Sequence, residues 1–158
     1  HKLVTLPNKF NKGKVILHFE GIDQISEIYI NNIFIEEHIG GYDKFSIDVT
    51  PFINNLNQFD LYIIVSDSTS KSNLTKGKQS LNRGGIWYTS SSGIYKPIWI
   101  ESIPNNYIKD IKINPLYDKK AISILVKTNI DDFAYIKFLS YYFKIPTNIE
   151  YNREFRFT

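Results

Sequence analysis

The segment Phe59–Ser66 reads FDLYIIVS, and its alternation of residue types indicates the fold class. Phe59, Leu61, Ile63 and Val65 are spaced two residues apart, and such residues share one face of an extended chain. The segment 15–19, VILHF, alternates in the same way. The sequence therefore predicts half-buried β-strands.

Turn signals connect several such runs. Asn31 and Asn32 separate the apolar runs 27–30 and 33–35, and asparagine tolerates the positive φ of a two-residue hairpin turn. A second hairpin is predicted from 107–114 and 121–127, and further strands over 133–143 and, without a following partner, over 153–158. Thr50 is predicted to cap a short helical turn that has Pro51 in its first position. These signals predict an all-β protein with one sandwich up to about Ile103, followed by part of another.

Composition excludes several classes of function. The 158 residues carry a net charge of +3, and the lysines are spread out, which disfavours nucleic-acid binding. No apolar run reaches the length of a membrane span, so no membrane association is expected. The chain has no cysteine, and its histidines are far apart, so we expect neither a metal site nor a cofactor. It has no methionine, which predicts a segment of a longer protein. Residue usage indicates a bacterial source, and both a cytoplasmic and a secreted location fit.

Catalytic patterns do not emerge from the sequence. The serines lack a GxSxG elbow, and Gly84-Gly85 leads into aromatic residues instead of a helix. The glutamates considered as a glycosidase pair are Glu20, Glu27, Glu36, Glu37 and Glu101. Each is predicted to face solvent or to lie beside a turn, so we expect no catalytic residue in this chain.

The segment 83–94, RGGIWYTSSSGI, has the composition of a sugar-binding loop. Aromatic faces hold the C–H face of a sugar, and planar polar side chains hold its hydroxyls. The candidate carbohydrate-binding residues are Asp67, Gln79, Arg83, Trp87, Tyr88 and Tyr95. The alternative interpretation is that Ile86 and Trp87 plug the end of the sandwich while the glycines and serines form tight turns. Trp99 lies in mid-strand and is predicted to be in the core.

Taken in order, these segments resemble a known family. The motifs are LHFEGID (17–23), the Asn31-Asn32 turn, HIGGYDKFSID (38–48), VSDS (65–68) and GGIWYTSSSGIYKPIWIE (84–101). They resemble the N-terminal sugar-binding domain of family 2 glycoside hydrolases, the β-galactosidase and β-glucuronidase family. The resemblance covers about residues 11–101, with Asn32 replacing the usual glycine of the hairpin.

The resemblance implies a galactose-binding-like jelly-roll β-sandwich over 1–104 and a partial immunoglobulin-like β-sandwich over 105–158. In the family, two catalytic glutamates of a retaining mechanism lie in a separate (β/α)₈ barrel, so this segment is implied to be non-catalytic. The implied partners are the catalytic barrel of the same parent chain and a weakly bound carbohydrate. Residues 86–91 lack the carboxylate that β-galactosidases place before the S-G-I motif, which argues against a sugar or sodium contact of that type.

Two other functions fit the same sequence. One is a stand-alone lectin-like carbohydrate-binding module, which requires Trp87, Tyr88 and Tyr95 to be exposed. The other is a purely structural brace for the catalytic barrel. A brace would bury these aromatic rings or turn them towards other domains.

Overall fold

The computed structural model describes residues 1–138 and 141–154, and their secondary structure is almost entirely β. The chain divides into two compact units, His1–Ile103 (unit 1) and Pro104–Thr158 (unit 2). The all-β fold class is thus confirmed. Short 3₁₀ turns are formed by Thr50–Phe52, Thr69–Lys71 and Tyr117–Lys119. In the described part of the chain, no helix is long and apolar enough to cross a membrane.

Unit 1 is built from two main sheets and a short strand pair. Its strands are β1 (Lys2–Thr5), β2 (Gly13–Phe19), β3 (Ile22–Asp23), β4 (Ile25–Ile30), β5 (Ile33–Ile39), β6 (Phe45–Asp48), β7 (Gln58–Ser66), β8 (Gly93–Ile94) and β9 (Ile98–Pro104). The sheets have the orders β1-β7-β4-β5 and β6-β2-β9, and β3 pairs with β8. Val15, Leu17 and Phe19 of β2 share one buried cluster with Phe59 and Leu61 of β7. The predicted alternation therefore supplies a core between the two sheets, as in a β-sandwich.

The β4–β5 hairpin turns at Asn31 and Asn32, as predicted. Their φ angles are 50° and 65°, and Ile30 pairs directly with Ile33. Asn31 also fixes the turn to its surroundings: its Nδ2 donates to the Phe52 carbonyl at 2.7 Å, and its Oδ1 accepts from the Asp60 N–H at 2.8 Å. The turn is therefore specified by backbone geometry and by side-chain hydrogen bonds.

The short turn at Pro51 forms as predicted, but the expected cap is wrong. Val49 occupies the N-cap position, and no side chain caps the turn. The Thr50 hydroxyl instead accepts a hydrogen bond from the Val15 N–H at 2.7 Å, which links the turn to β2. The hydroxyl oxygen that would accept a hydrogen bond in a local cap thus accepts one from a neighbouring strand instead.

The predicted burial of Trp99 is also wrong, because its side chain is 42% exposed. Ile98 and Ile100, one residue away on either side, are the β9 residues that pack against the core. Since side chains alternate along a strand, Trp99 must face outwards, on the same side as Glu101.

Unit 2 contains the strands β10 (Ile108–Leu116), β11 (Ala121–Thr128), β12 (Phe133–Phe138), β13 (Tyr141–Pro146) and β14 (Tyr151–Glu154). One sheet has the order β10-β11-β14, and β12 pairs with β13. Both predicted hairpin strands and the strand character of 133–143 are confirmed, apart from residues 139–140, which lie outside the described residues. The part of the predicted 153–158 strand that is described, Arg153–Glu154, pairs with β11, so the expectation of an unpartnered strand is wrong there. Residues 155–158 lie outside the described part.

Candidate functional site: a polar cleft in unit 1

The loop that follows β7 folds back on itself before reaching β8. The Tyr88 N–H donates to the Lys78 carbonyl at 2.8 Å, and Gly84 and Trp87 exchange backbone hydrogen bonds at 3.1 and 3.3 Å. Gly85 sits between them with a φ of 59°, a conformation that glycine adopts at little cost. Residues 78–88 thus form a narrow, hydrogen-bonded excursion.

The tip of this excursion is exposed to solvent. Tyr88 is 70% exposed, Ile86 67% and Trp87 42%. The interpretation that Ile86 and Trp87 plug the sandwich is therefore wrong, because neither side chain is buried. The Lys76 ammonium lies 5.9 Å from the centre of the Trp87 ring, within cation–π range. Arg83 is also exposed at this tip.

A polar cleft of about 240 Å³ lies beside the base of the loop. Its lining residues are Asp23, Gly41, Tyr42, Gln79, Ser91, Ser92, Gly93 and Tyr95. The pairing of Asp23 with Gly93 brings β3 and β8 together at its wall. Four separate chain segments therefore contribute to one small concave site.

Hydrogen bonds hold the cleft walls in place. The Tyr95 hydroxyl donates to the Gly41 carbonyl at 2.6 Å. The Tyr42 hydroxyl accepts from the Gly77 N–H at 3.0 Å, and Gln79 Oε1 accepts from the Ser91 N–H at 2.7 Å. Each bond joins two of the lining segments or joins a lining segment to the neighbouring loop. The site is thus preformed.

Asp23 is the electrostatic centre of the cleft. Burial raises the pKa of its carboxyl above 3.8, the charge of Asp67 raises this pKa further, and a hydrogen bond with the Gln79 side chain opposes the shift. Asp23 Oδ1 is buried without a hydrogen-bond partner among the described residues. A Cβ added at Gly41 would lie 2.5 Å from this oxygen, so a glycine at position 41 makes room for the carboxylate.

The structure brings some of the predicted site residues together and separates others. Gln79 and Tyr95 line the cleft, and Asp67 acts on it through its charge. Asp67 itself is held by Thr69, whose N–H and hydroxyl donate to its two carboxylate oxygens at 2.6 and 3.4 Å. The others, Arg83, Trp87 and Tyr88, are exposed side chains of the loop tip and are not among the lining residues.

Sequence reasoning about binding missed Asp23, Tyr42, Ser91 and Ser92. Asp23 and Tyr42 stand in the motifs LHFEGID and HIGGYDKF, so motif membership was the signal that could have found them. Carboxylate, amide and hydroxyl groups beside two tyrosines can accept and donate hydrogen bonds to a polyhydroxylated ligand. Among the described lining residues, Asp23 carries the only carboxylate.

Comparison with known proteins yields glycosidases. No family model matches the sequence. The chain is 30% identical over 125 residues to a β-galactosidase of Thermoanaerobacterium thermosulfurigenes, covering 77% of this chain and 17% of that protein. It is 28% identical over 162 aligned positions to a putative β-glucuronidase of Formosa agariphila, covering 93% of this chain and 19% of that protein.

A solved structure shows the same fold. A β-glucuronidase from an uncultured Clostridium species superposes with a TM-score of 0.63 at 24% identity, covering 82% of this chain and 23% of that one. Fold and sequence matches together define the class: this is an all-β segment of the kind found in large glycosidases. More particularly, the chain is a homologue of β-galactosidases and β-glucuronidases, the family that the ordered motifs indicate. It spans less than a fifth of the length of the two curated relatives.

Proposed function

We propose that this chain is the non-catalytic, carbohydrate-associated N-terminal part of a bacterial family 2 glycosidase that hydrolyses terminal β-galactosides or β-glucuronides. The observation that carries the proposal is the pair of matches to a β-galactosidase and a putative β-glucuronidase. They extend over 77% and 93% of this chain but under a fifth of each relative. Catalysis is assigned to a barrel in the remainder of the parent protein.

The cleft supports the non-catalytic assignment. A retaining glycosidase needs two carboxyl groups about 5–5.5 Å apart, one as nucleophile and one as acid and base. Asp23 has a raised pKa, but its neighbour Asp67 already accepts hydrogen bonds from Thr69 at both oxygens. Asp67 is not among the described lining residues, so the lining of the cleft offers Asp23 alone and not a pair of carboxyl groups.

Hydrolysis assays test the proposal. The chain alone and the complete product of its parent gene are assayed with p-nitrophenyl β-galactoside and p-nitrophenyl β-glucuronide. We expect turnover of one of these substrates by the complete product and only the buffer rate for the chain alone. Turnover by the chain alone would show that it is itself the enzyme. A complete product that hydrolyses neither would remove the assignment to these glycosidases.

The exposure of the loop tip favours a second candidate, the stand-alone lectin-like module. Trp87, Tyr88 and Tyr95 are 42, 70 and 50% exposed, as that function requires. Titration with galactose, glucuronic acid and lactose, followed by tryptophan fluorescence, separates the candidates. A saturable change that disappears in Trp87→Ala favours the module, and silence at millimolar sugar favours the scaffold role.

A further inference from the structure

The outer face of the β6-β2-β9 sheet carries an aromatic cluster that the glycosidase assignment does not use. It consists of Trp99 and Glu101 on β9, His18 on β2 and Glu20, which follows β2 directly (the Trp99 platform). The rings of Trp99 and His18 are stacked, with centroids 3.9 Å apart and planes inclined by 15°. His18 thus covers one face of the indole, while Trp99 remains 42% exposed.

Hydrogen bonds hold the Trp99 indole and the His18 imidazole in place. The indole N–H of Trp99 donates to Glu20 Oε1 at 2.8 Å. His18 Nε2 lies 3.0 Å from Glu101 Oε1 and His18 Nδ1 lies 2.7 Å from Ser46 Oγ. An ionised carboxylate can only accept, so Nε2 carries a proton and donates to Glu101, while the Ser46 hydroxyl can serve Nδ1 as donor or acceptor. The exposed indole face is therefore held in place before any ligand arrives.

Both carboxylates of the Trp99 platform have acceptor capacity to spare: Glu20 lies at the edge of the indole, and Glu101 lies at the edge of the stacked imidazole. The hydrogen bonds to Trp99 and His18 use one oxygen of Glu20 and one of Glu101. The Glu101 side chain is 44% exposed. A carboxylate has two oxygens and about four acceptor sites, so each can still accept from ligand hydroxyls. A flat apolar surface with an anionic acceptor at its edge, here Glu20, is complementary to a pyranose ring with free hydroxyls.

We propose that the Trp99 platform is a binding site for neutral pyranosides, separate from the polar cleft. The C–H face of the sugar stacks on the side of Trp99 that His18 leaves uncovered, and a hydroxyl group of the sugar donates to Glu20 at the edge of the indole. Uronic acids are disfavoured, because their carboxylate would be brought close to Glu20 and add a negative charge to a platform that already carries Glu20 and Glu101. Quaternary ammonium ligands are disfavoured, because aromatic cages surround such a cation with several rings, whereas this site offers one face.

Tryptophan fluorescence tests the site directly, because Trp87 and Trp99 are the chain's two tryptophans. In Trp87→Phe, Trp99 is the sole indole, and this variant is titrated with methyl β-D-glucopyranoside and methyl β-D-galactopyranoside. We expect a saturable change with one of them in the millimolar range. Sodium methyl β-D-glucuronate and choline at the same concentrations should give no change. Silence with both neutral sugars, or saturation by glucuronate or choline, would overturn the proposal.

Saturation-transfer NMR on the sugar C–H protons supplies a readout that does not depend on the fluorophore. The natural chain should transfer saturation to the neutral sugar, and Trp99→Phe should lose most of the transfer. Glu20→Gln should weaken binding several-fold, because the charge-assisted acceptor at the edge of the indole becomes a neutral one. Far-UV circular dichroism confirms that each variant is folded. Transfer that persists in Trp99→Phe and disappears in Trp87→Ala would place the sugar on the loop tip and overturn the assignment.

This test is independent of the glycosidase assignment. A parent protein without β-glycosidase activity would refute the proposed function and leave the titration of Trp99 unaffected. A silent Trp99 in a chain whose complete parent hydrolyses β-galactosides would refute only the platform.

Discussion

Asp23 is the residue whose environment most constrains the cleft. Its folded pKa is raised by burial and by Asp67, so folding favours the protonated form of this carboxyl. Between the unfolded pKa near 3.8 and the higher folded pKa, the folded chain binds more protons than the unfolded chain. The contribution of Asp23 to the free energy of unfolding therefore falls as the pH rises through this window.

Asp23→Asn should remove this pH dependence, because asparagine has no ionisable carboxyl. We expect the stability of the variant, relative to the natural chain, to increase as the pH rises above 3.8 and then to level off. Urea unfolding at a series of pH values measures the difference. Asp67→Asn is the matched comparison, because it removes the second cause of the raised pKa of Asp23. In this variant the Asp23-dependent change of unfolding free energy with pH should be smaller but still present. A difference between Asp23→Asn and the natural chain that does not vary with pH would contradict the raised pKa.

Gly21 and Tyr95 form a second residue-scale constraint on the cleft. A Cβ at position 21 would lie 2.9 Å from the Tyr95 ring. Gly21→Ala should therefore displace the ring and break the hydrogen bond from its hydroxyl to the Gly41 carbonyl, at a cost of about 1 kcal/mol. Tyr95→Phe removes the same bond directly and should cost a similar amount in urea unfolding.

The double variant decides whether these two changes act on the same bond. If they do, Gly21→Ala with Tyr95→Phe should be no less stable than Gly21→Ala alone. Strictly additive losses would mean that the ring tolerates the added methyl group without moving.

Among the elements, the β4–β5 turn shows how two identical residues can have different roles. Asn31 and Asn32 both adopt positive φ, but Asn31 also bonds to Phe52 and Asp60. Asn31→Gly should cost about 1–3 kcal/mol, because two hydrogen bonds of the side chain are lost. Asn32→Gly should be neutral or slightly stabilising, because glycine adopts this conformation without strain.

The two glycine variants control for each other. Both gain the same backbone freedom in the unfolded chain, so their difference in unfolding free energy isolates the side-chain bonds of Asn31. Equal stabilities would show that those bonds contribute nothing measurable.

Strands and hairpins were predictable because their signals are local. The alternation in β2 and β7 and the two asparagines between β4 and β5 are each contained within nine residues or fewer. The outward orientation of Trp99 was also present in the sequence, because it shares strand parity with Glu101 and not with Ile98 and Ile100. The prediction that Trp99 is buried followed its apolar residue type and not its position in the alternation of the strand.

Local sequence signals could not predict the cleft or the hydrogen bond that the Thr50 hydroxyl makes. Asp23 meets Gln79 and Ser91 only after four segments assemble, and no spacing in the sequence records that distance. Residue type favoured Thr50 as the cap of its own turn, but in the folded chain its hydroxyl accepts a hydrogen bond from the Val15 N–H of β2. In both cases the deciding partner is distant in sequence, whereas periodicity reports only neighbours.

At the scale of the whole molecule, the distribution of buried apolar residues predicts that unit 1 is more stable than unit 2. Among the described residues, the unit 1 core contains eleven buried apolar residues and the unit 2 cluster contains Ile124, Val126 and Ile145. On β10 of unit 2, Ile111 and Ile113 remain 51 and 61% exposed, although they pair with the buried Val126 and Ile124. Each half-exposed isoleucine forgoes part of the roughly 1.5–3 kcal/mol that full burial contributes.

Hydrogen exchange should therefore resolve two levels of protection in the intact chain. We expect amides of β2, β4 and β7 to exchange only through global opening of unit 1, and amides of β10 and β11 to exchange faster, through opening of unit 2 alone. Mass spectrometry of pepsin fragments after timed exchange in deuterated buffer measures both. Limited proteolysis adds a check, because the exposed residues 104–106 join the units and cleavage there should leave unit 1 protected. Equal protection of the two units, lost together at one urea concentration, would show that they unfold as one cooperative structure and that the smaller core is not an independent weak point.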